Sequence, residues 1–172
     1  MKQFKLMFFS LLATWHTGLL GTPFIFVTDK KKWCPLSLEV ERGKKFFLGK
    51  SAWFIDPSVS LSTFLIIAPS VQADVRIGKT FRHQLSIYVM LGIGSYLGFL
   101  RSNYDQHEYF SYMHTLHGMG FSIPNTSKTW SFTMRFVHKY VWWVQRQDEY
   151  TYRHIVSCLF GFEWHDPTFY GS

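Results

Sequence analysis

A chain of 172 residues has the length of one domain with a substantial core. With 20% aromatic residues, 17% charged residues and a mean hydropathy of -0.02, it is too apolar for a disordered segment and too polar for a bundle of several membrane-spanning helices. The net charge of +7 is scattered apart from Lys30-Lys31-Lys32 and Lys44-Lys45, which gives no basic face for nucleic acid and reads as solvated turns.

In chain order, residues 1–21 carry two lysines, an apolar stretch and then small and turn-forming residues, the pattern of a secretory signal or an uncleaved anchor. Residues 22–172 read as a single β domain. A short strand is predicted at 22–28. Residues 36–41 alternate Leu36, Leu38, Val40 against Ser37, Glu39, Glu41, with Gly43 expected in the following turn. The next run ends at Asp56-Pro57, read as a turn. From 59 to 77 the odd positions are mostly aliphatic and the even ones include Ser60, Ser62, Ser70, Gln72, Asp74 and Arg76, after which Gly78-Lys79 suggests a reversal.

Residues 84–100 carry no charge, which is just long enough for a short transmembrane helix. The same run alternates, with Leu85, Ile87, Val89, Leu91 and Ile93 on one face and Ser86, Tyr88, Gly92 and Gly94 on the other. Met119, Phe121 and Ile123 then oppose Gly118, Gly120 and Ser122, and the segment 124–127 is a turn. The clearest strand is 130–144, with Trp130, Phe132, Met134, Phe136, His138, Tyr140 and Trp142 opposite Ser131, Thr133, Arg135 and Lys139. After a polar turn, 150–164 repeats the pattern and forms a long antiparallel hairpin with it.

Long strands with one apolar, aromatic-ended face and an opposite face of Gly, Ser, Thr, Tyr, Gln and Arg predict an all-β fold, an antiparallel up-and-down membrane β-barrel of about eight strands. Closure removes the strand edges that lipid cannot satisfy. Two other readings stand beside it. One is a non-enzymatic helical subunit of a membrane complex with spans at 6–28, 57–73 and 84–100. The other is a soluble β-barrel that binds an apolar ligand in its lumen.

The run "GMGFSIPNTSKTWSFTMRFVHKY", residues 118–140, resembles the penultimate hairpin of the outer-membrane lipid A 3-O-deacylases, the PagL-type barrels, through a Gly-x-Gly strand, a turn and a strand with Arg-x-x-His. Counted generously, the similarity extends over residues 60–160. The resemblance implies a bacterial outer-membrane location, export through the signal-like N-terminus and action on, or binding of, lipid A acyl chains. It implies that His138 is the general base, oriented by an acidic residue for which Glu149 in the turn is the candidate and Glu163 a more distant one. The family's serine, two residues after the histidine, is replaced by Tyr140. A serine hydroxyl needs such a base to become nucleophilic, so its loss implies altered or absent catalysis.

His138 also has a bland reading as an amphipathic interfacial side chain. Asp105, His107, Glu108, His114 and His117 include metal-ligating types, but His114 and His117 lie on opposite faces of a strand. No metal and no cofactor are expected. Cys34 and Cys158 allow one disulfide or two free thiols. The expected partner is membrane lipid or lipopolysaccharide, with no nucleic acid and no oligomeric state implied.

Overall fold

In a computed structural model, residues 13–27, 32–48, 52–64, 68–81, 84–101, 107–144 and 153–166 are described. They form eight antiparallel strands, each paired with its sequence neighbours, and the first with the last: β1 (Ala13–Val27), β2 (Lys32–Phe47), β3 (Trp53–Phe64), β4 (Ala68–Thr80), β5 (Ser86–Arg101), β6 (His107–Pro124), β7 (Trp130–Val144) and β8 (His154–His165). The sheet is a closed barrel in β1-to-β8 order. No described residue is helical, and the described parts of the segments needed by the helical alternative lie almost wholly in strands, which overturns that reading.

Sheet closure by eight strands leaves a lumen that side chains can fill. Here the filling is polar. Glu39, Glu41, Asp56, Asp74, Arg76, Arg135 and Glu163 point inward and are buried, while Leu61, Val89, Leu91, Ile93 and Met119 point outward and are exposed, Leu91 by 64%. A small apolar cluster of Leu20, Met90, Leu116, Val137 and Leu159 completes the interior. An inside with this much charge argues against the soluble barrel with an apolar ligand cavity.

The rim at which β1 starts and β8 ends carries outward Trp15, Trp53, Phe81, Trp130 and Trp164. Toward the opposite rim β7 places Tyr140 and Trp142 outward. From Trp130 to Trp142 is about 40 Å along a strand and about 30 Å along a barrel axis at a tilt of about 40°. Aromatic girdles at that separation bracket an apolar band of membrane thickness.

Several turns differ from expectation. β1 begins at Ala13, inside the segment read as a signal or anchor, and pairs with both β2 and β8 over residues 16–21; residues 1–12 lie outside the described residues. Gly43 is not in a turn but inside β2, facing the lumen, where a Cβ would come within 2.4 Å of His16 Nε2. Only glycine admits that imidazole. Asp56-Pro57 is not a turn either: both lie within β3, with Pro57 outward. The β2–β3 ladder pairs Gly43 with Ser58 and Phe46 with Ile55 and skips the positions between, where the proline has no N–H to donate.

Gly78-Lys79 continues β4 rather than reversing it. The stretch 59–77 is instead two strands, with Phe64 opposite Ala68. The turn after Pro124 stands as expected: Lys128 takes a positive φ of 57° and its N–H donates to the Asn125 carbonyl at 3.0 Å. Cys158 is a free thiol.

Candidate functional site

The lumen is organised around two arginines. Arg135, fully buried on β7, makes a bidentate pair with Glu41 of β2, donating at 2.6 Å to each carboxylate oxygen. It also donates to Glu163 of β8 at 2.6 Å and to the Tyr88 hydroxyl of β5 at 3.0 Å. Arg76 of β4 donates to the same Glu41, to Glu163 at 3.1 Å, to Asp56 at 3.4 Å and to the Ser58 hydroxyl at 3.1 Å. Ser58 in turn donates to Asp74 at 2.8 Å, and His16 Nε2 donates to Asp56 at 2.8 Å. Gln72 donates to Glu39 at 2.7 Å.

The strand period aims each of these groups inward, because the charged residues sit on the same parity as the glycines and serines of their strands. Planar guanidinium forks suit shared carboxylates, and charge-assisted bonds of this kind are about twice as strong as neutral ones. His16, Glu41 and Glu163 converge closely enough to hold a metal ion. Arg76 and Arg135 already bind both carboxylates, so the positive charge that a metal would bring is present. Below the network, toward the rim where β1 starts, a polar vestibule of about 180 Å³ is lined by Lys45, Gln84, Ser86, Ser131 and His165 among others. On the other side of the network, Glu39, Tyr96 and Lys139 line a pocket of about 10 Å³.

His138 lies on the outer wall, not in the lumen. It faces His117 directly across β6–β7, with His138 Nδ1 and His117 Nε2 3.0 Å apart. Its Nε2 lies 3.1 Å from His154 Nδ1 of β8, and the two rings lie side by side, nearly parallel at 10°, with centroids 5.3 Å apart. Tyr140, in the place of the family's serine, packs its ring 5.0 Å from His154. Glu149 lies outside the described residues. Glu163 is buried in the lumen in the arginine network, across the wall from His138. The proposed base and the more distant acid are therefore not brought together.

Of the other histidine candidates, His114 points into the lumen and is fully buried, its ring 4.7 Å from Tyr96, while His117 points outward. That separation is the one expected from their spacing. The side chains of Asp105, His107 and Glu108 lie outside the described residues. A Cβ at Gly94 would come within 2.6 Å of the His114 ring, so this glycine makes room in the lumen.

A third feature went unnoticed in the sequence. On the outer wall, a groove of about 550 Å³ runs across β2–β5, floored by Pro57 and Ala73, with Val59, Val75, Leu91 and Ile93 on its walls. At its rim end stand Trp15, Arg42 and Lys44. The Arg42 guanidinium lies 5.3 Å and the Lys44 ammonium 5.0 Å from the Trp15 ring, and Arg42 donates to the Thr17 hydroxyl at 2.5 Å. The signal was available: Arg42 and Lys44 share the outward parity of Leu38 and Val40.

No protein-family model matches the chain, and no curated protein matches it in sequence. Solved structures do match. The N-terminal β-barrel domain of Pseudomonas aeruginosa OprF aligns over 91% of this chain and 98% of its own, at 12% identity and a TM-score of 0.59. Ail, the attachment invasion locus protein of Yersinia pestis, aligns over 90% of this chain and 97% of its own, at 12% identity and a TM-score of 0.58. A second structure of Ail, in complex with the heparin analogue sucrose octasulfate, aligns at 10% identity with a TM-score of 0.58. At such identities the likeness is one of fold: the chain has the closed eight-stranded architecture of outer-membrane-type barrels.

Proposed function

We propose that this protein is an outer-membrane barrel that neither conducts nor hydrolyses, and that it seats a lipid with an anionic headgroup on its outer wall. The observation that carries the reading is the inversion of polarity across one sheet. Aliphatic side chains cover the outside, and a cross-strand arginine–carboxylate network fills the inside. In water that arrangement would expose most of the apolar surface; in a bilayer it satisfies both faces. The similarity of fold to bacterial outer-membrane barrels supports the location.

The groove supports lipid seating. Its apolar floor suits acyl chains, and Arg42 and Lys44, held over Trp15 at the aromatic girdle, suit a phosphate at headgroup depth. The deacylase-like alternative has less behind it. Tyr140 replaces the serine, and both nitrogens of His138 face other imidazoles rather than a nucleophile and an acid.

Native mass spectrometry of the protein released from nanodiscs would test this. Retained anionic phospholipid or lipopolysaccharide, lost in Arg42→Gln/Lys44→Gln, is the expected result, and which lipid is retained distinguishes the two sources. Equal retention of a zwitterionic lipid would overturn the assignment. In planar bilayers no stable conductance is expected. Incubation with lipopolysaccharide is expected to release no acyl chains; release that disappears in His138→Ala would restore the hydrolase reading.

A further inference from the structure

The outer wall of a membrane barrel is a poor place for imidazoles, yet three of them meet there on adjacent strands. Their neighbours on the same face include Met119, Phe136 and Val156, all exposed and apolar. His138 is held from both sides, by His117 at 3.0 Å and by His154 at 3.1 Å. On β7 it lies one outward position before Tyr140 and two before Trp142, about two-thirds of the way from the first girdle to the second by the rise of a strand.

The geometry points to a divalent transition-metal site, of the type that takes Cu²⁺ or Ni²⁺, formed by His117 Nε2 and His138 Nδ1 and positioned by His154. An ion about 2.0–2.1 Å from each of two nitrogens 3.0 Å apart subtends an angle of about 95°. That value is close to the right angle of tetragonal or octahedral coordination, which Cu²⁺ and Ni²⁺ adopt. The two residues are directly opposed in the ladder, so the backbone sets their side chains next to each other.

His154 supplies the second requirement. A ligating imidazole needs its other nitrogen to carry the proton and to donate it, which fixes the tautomer and aims the lone pair. With His138 Nε2–H donating to His154 Nδ1, the lone pair of His138 Nδ1 is turned toward His117. The near-parallel, side-by-side setting of the His138 and His154 rings and the packing of Tyr140 on His154 hold that orientation.

The test uses the full-length chain, folded in detergent, stripped with chelator and titrated with Cu²⁺ alone. One ion per chain is expected, with a paramagnetic resonance spectrum showing two nitrogen donors. His117→Phe and His138→Phe are each expected to abolish saturable binding. His154→Phe is expected to weaken it about 10- to 100-fold, the range typical of an orienting partner, and His154→Gln, which can still accept the hydrogen bond, to restore most of it. Heat-modifiable migration of each variant confirms that it is folded, and His117→Gln and His138→Gln replace any phenylalanine variant that is not. Absence of saturable binding to the parent protein, or binding unchanged in both ligand variants, would overturn the site and leave the three imidazoles as a hydrogen-bonded chain.

Discussion

Arg135 shows what a single residue carries in this lumen. It pairs with Glu41 and Glu163 in a space closed to water, so removing it leaves two buried carboxylates short of a partner. Breaking a buried pair in this one-sided way costs about 3–5 kcal/mol. Arg135→Met is therefore expected to lower the urea midpoint of the folded band on a gel by that equivalent, and Arg135→Lys, which keeps the charge but not the fork, by less. Gly43 is the opposite case, a residue whose value is its missing side chain. Gly43→Ala would push His16 off Asp56, for a loss of about 1–3 kcal/mol in the same unfolding assay. Neither role could be read from the sequence. The parity of Glu41, Arg135 and Glu163 was visible, but which acid meets which base depends on the stagger of strands far apart in the chain.

At the level of the strand, the alternation was legible almost throughout, and the described positions of β5 lie as the pattern implied, with Val89 and Ile93 outward and Ser86, Gly92 and Gly94 on the lumen side. Strand ends were less legible, for a physical reason. Between β3 and β4 the register pairs Phe64 with Ala68, so even positions face even positions and the odd-even pattern passes through the reversal unbroken. Leu65, Ile66 and Ile67 carry no turn residue to mark it. Asp56-Pro57 failed in the other direction, because a proline at an outward position beside a gap in the ladder costs a strand little.

Two strand-level outcomes follow. Leu91→Arg, at an outward position far exposed, is expected to destabilise the folded barrel in bilayers by about 2–4 kcal/mol, measured by urea titration in vesicles. Deleting residues 13–21 would unpair β1 from β2 and from β8 along half its length, and the variant is expected to lose heat-modifiable migration altogether.

For the whole molecule, closure and charge pairing are the same event. Glu41 belongs to β2 and receives Arg76 from β4, but its bidentate partner Arg135 and the other acceptor, Glu163, belong to the final hairpin. The β7–β8 hairpin was also the part most readily recognised from sequence, because its two long strands alternate without interruption and a polar turn separates them. The charged side chains that fill the lumen are buried and paired with one another across it, which is why a barrel of this size is expected to be silent in conductance measurements.

The Glu41–Arg135 pair spans 94 residues of chain, and that separation has a temporal side. A sheet that has assembled only through β6 holds Glu41 and Arg76 in place with neither Arg135 nor Glu163 to complete them. Entering lipid at that stage would carry unmatched charge into a medium that screens nothing. The last hairpin thus acts as a keystone: it zips the β1–β8 seam and neutralises the interior in one stroke, so insertion and closure are expected to proceed together rather than strand by strand.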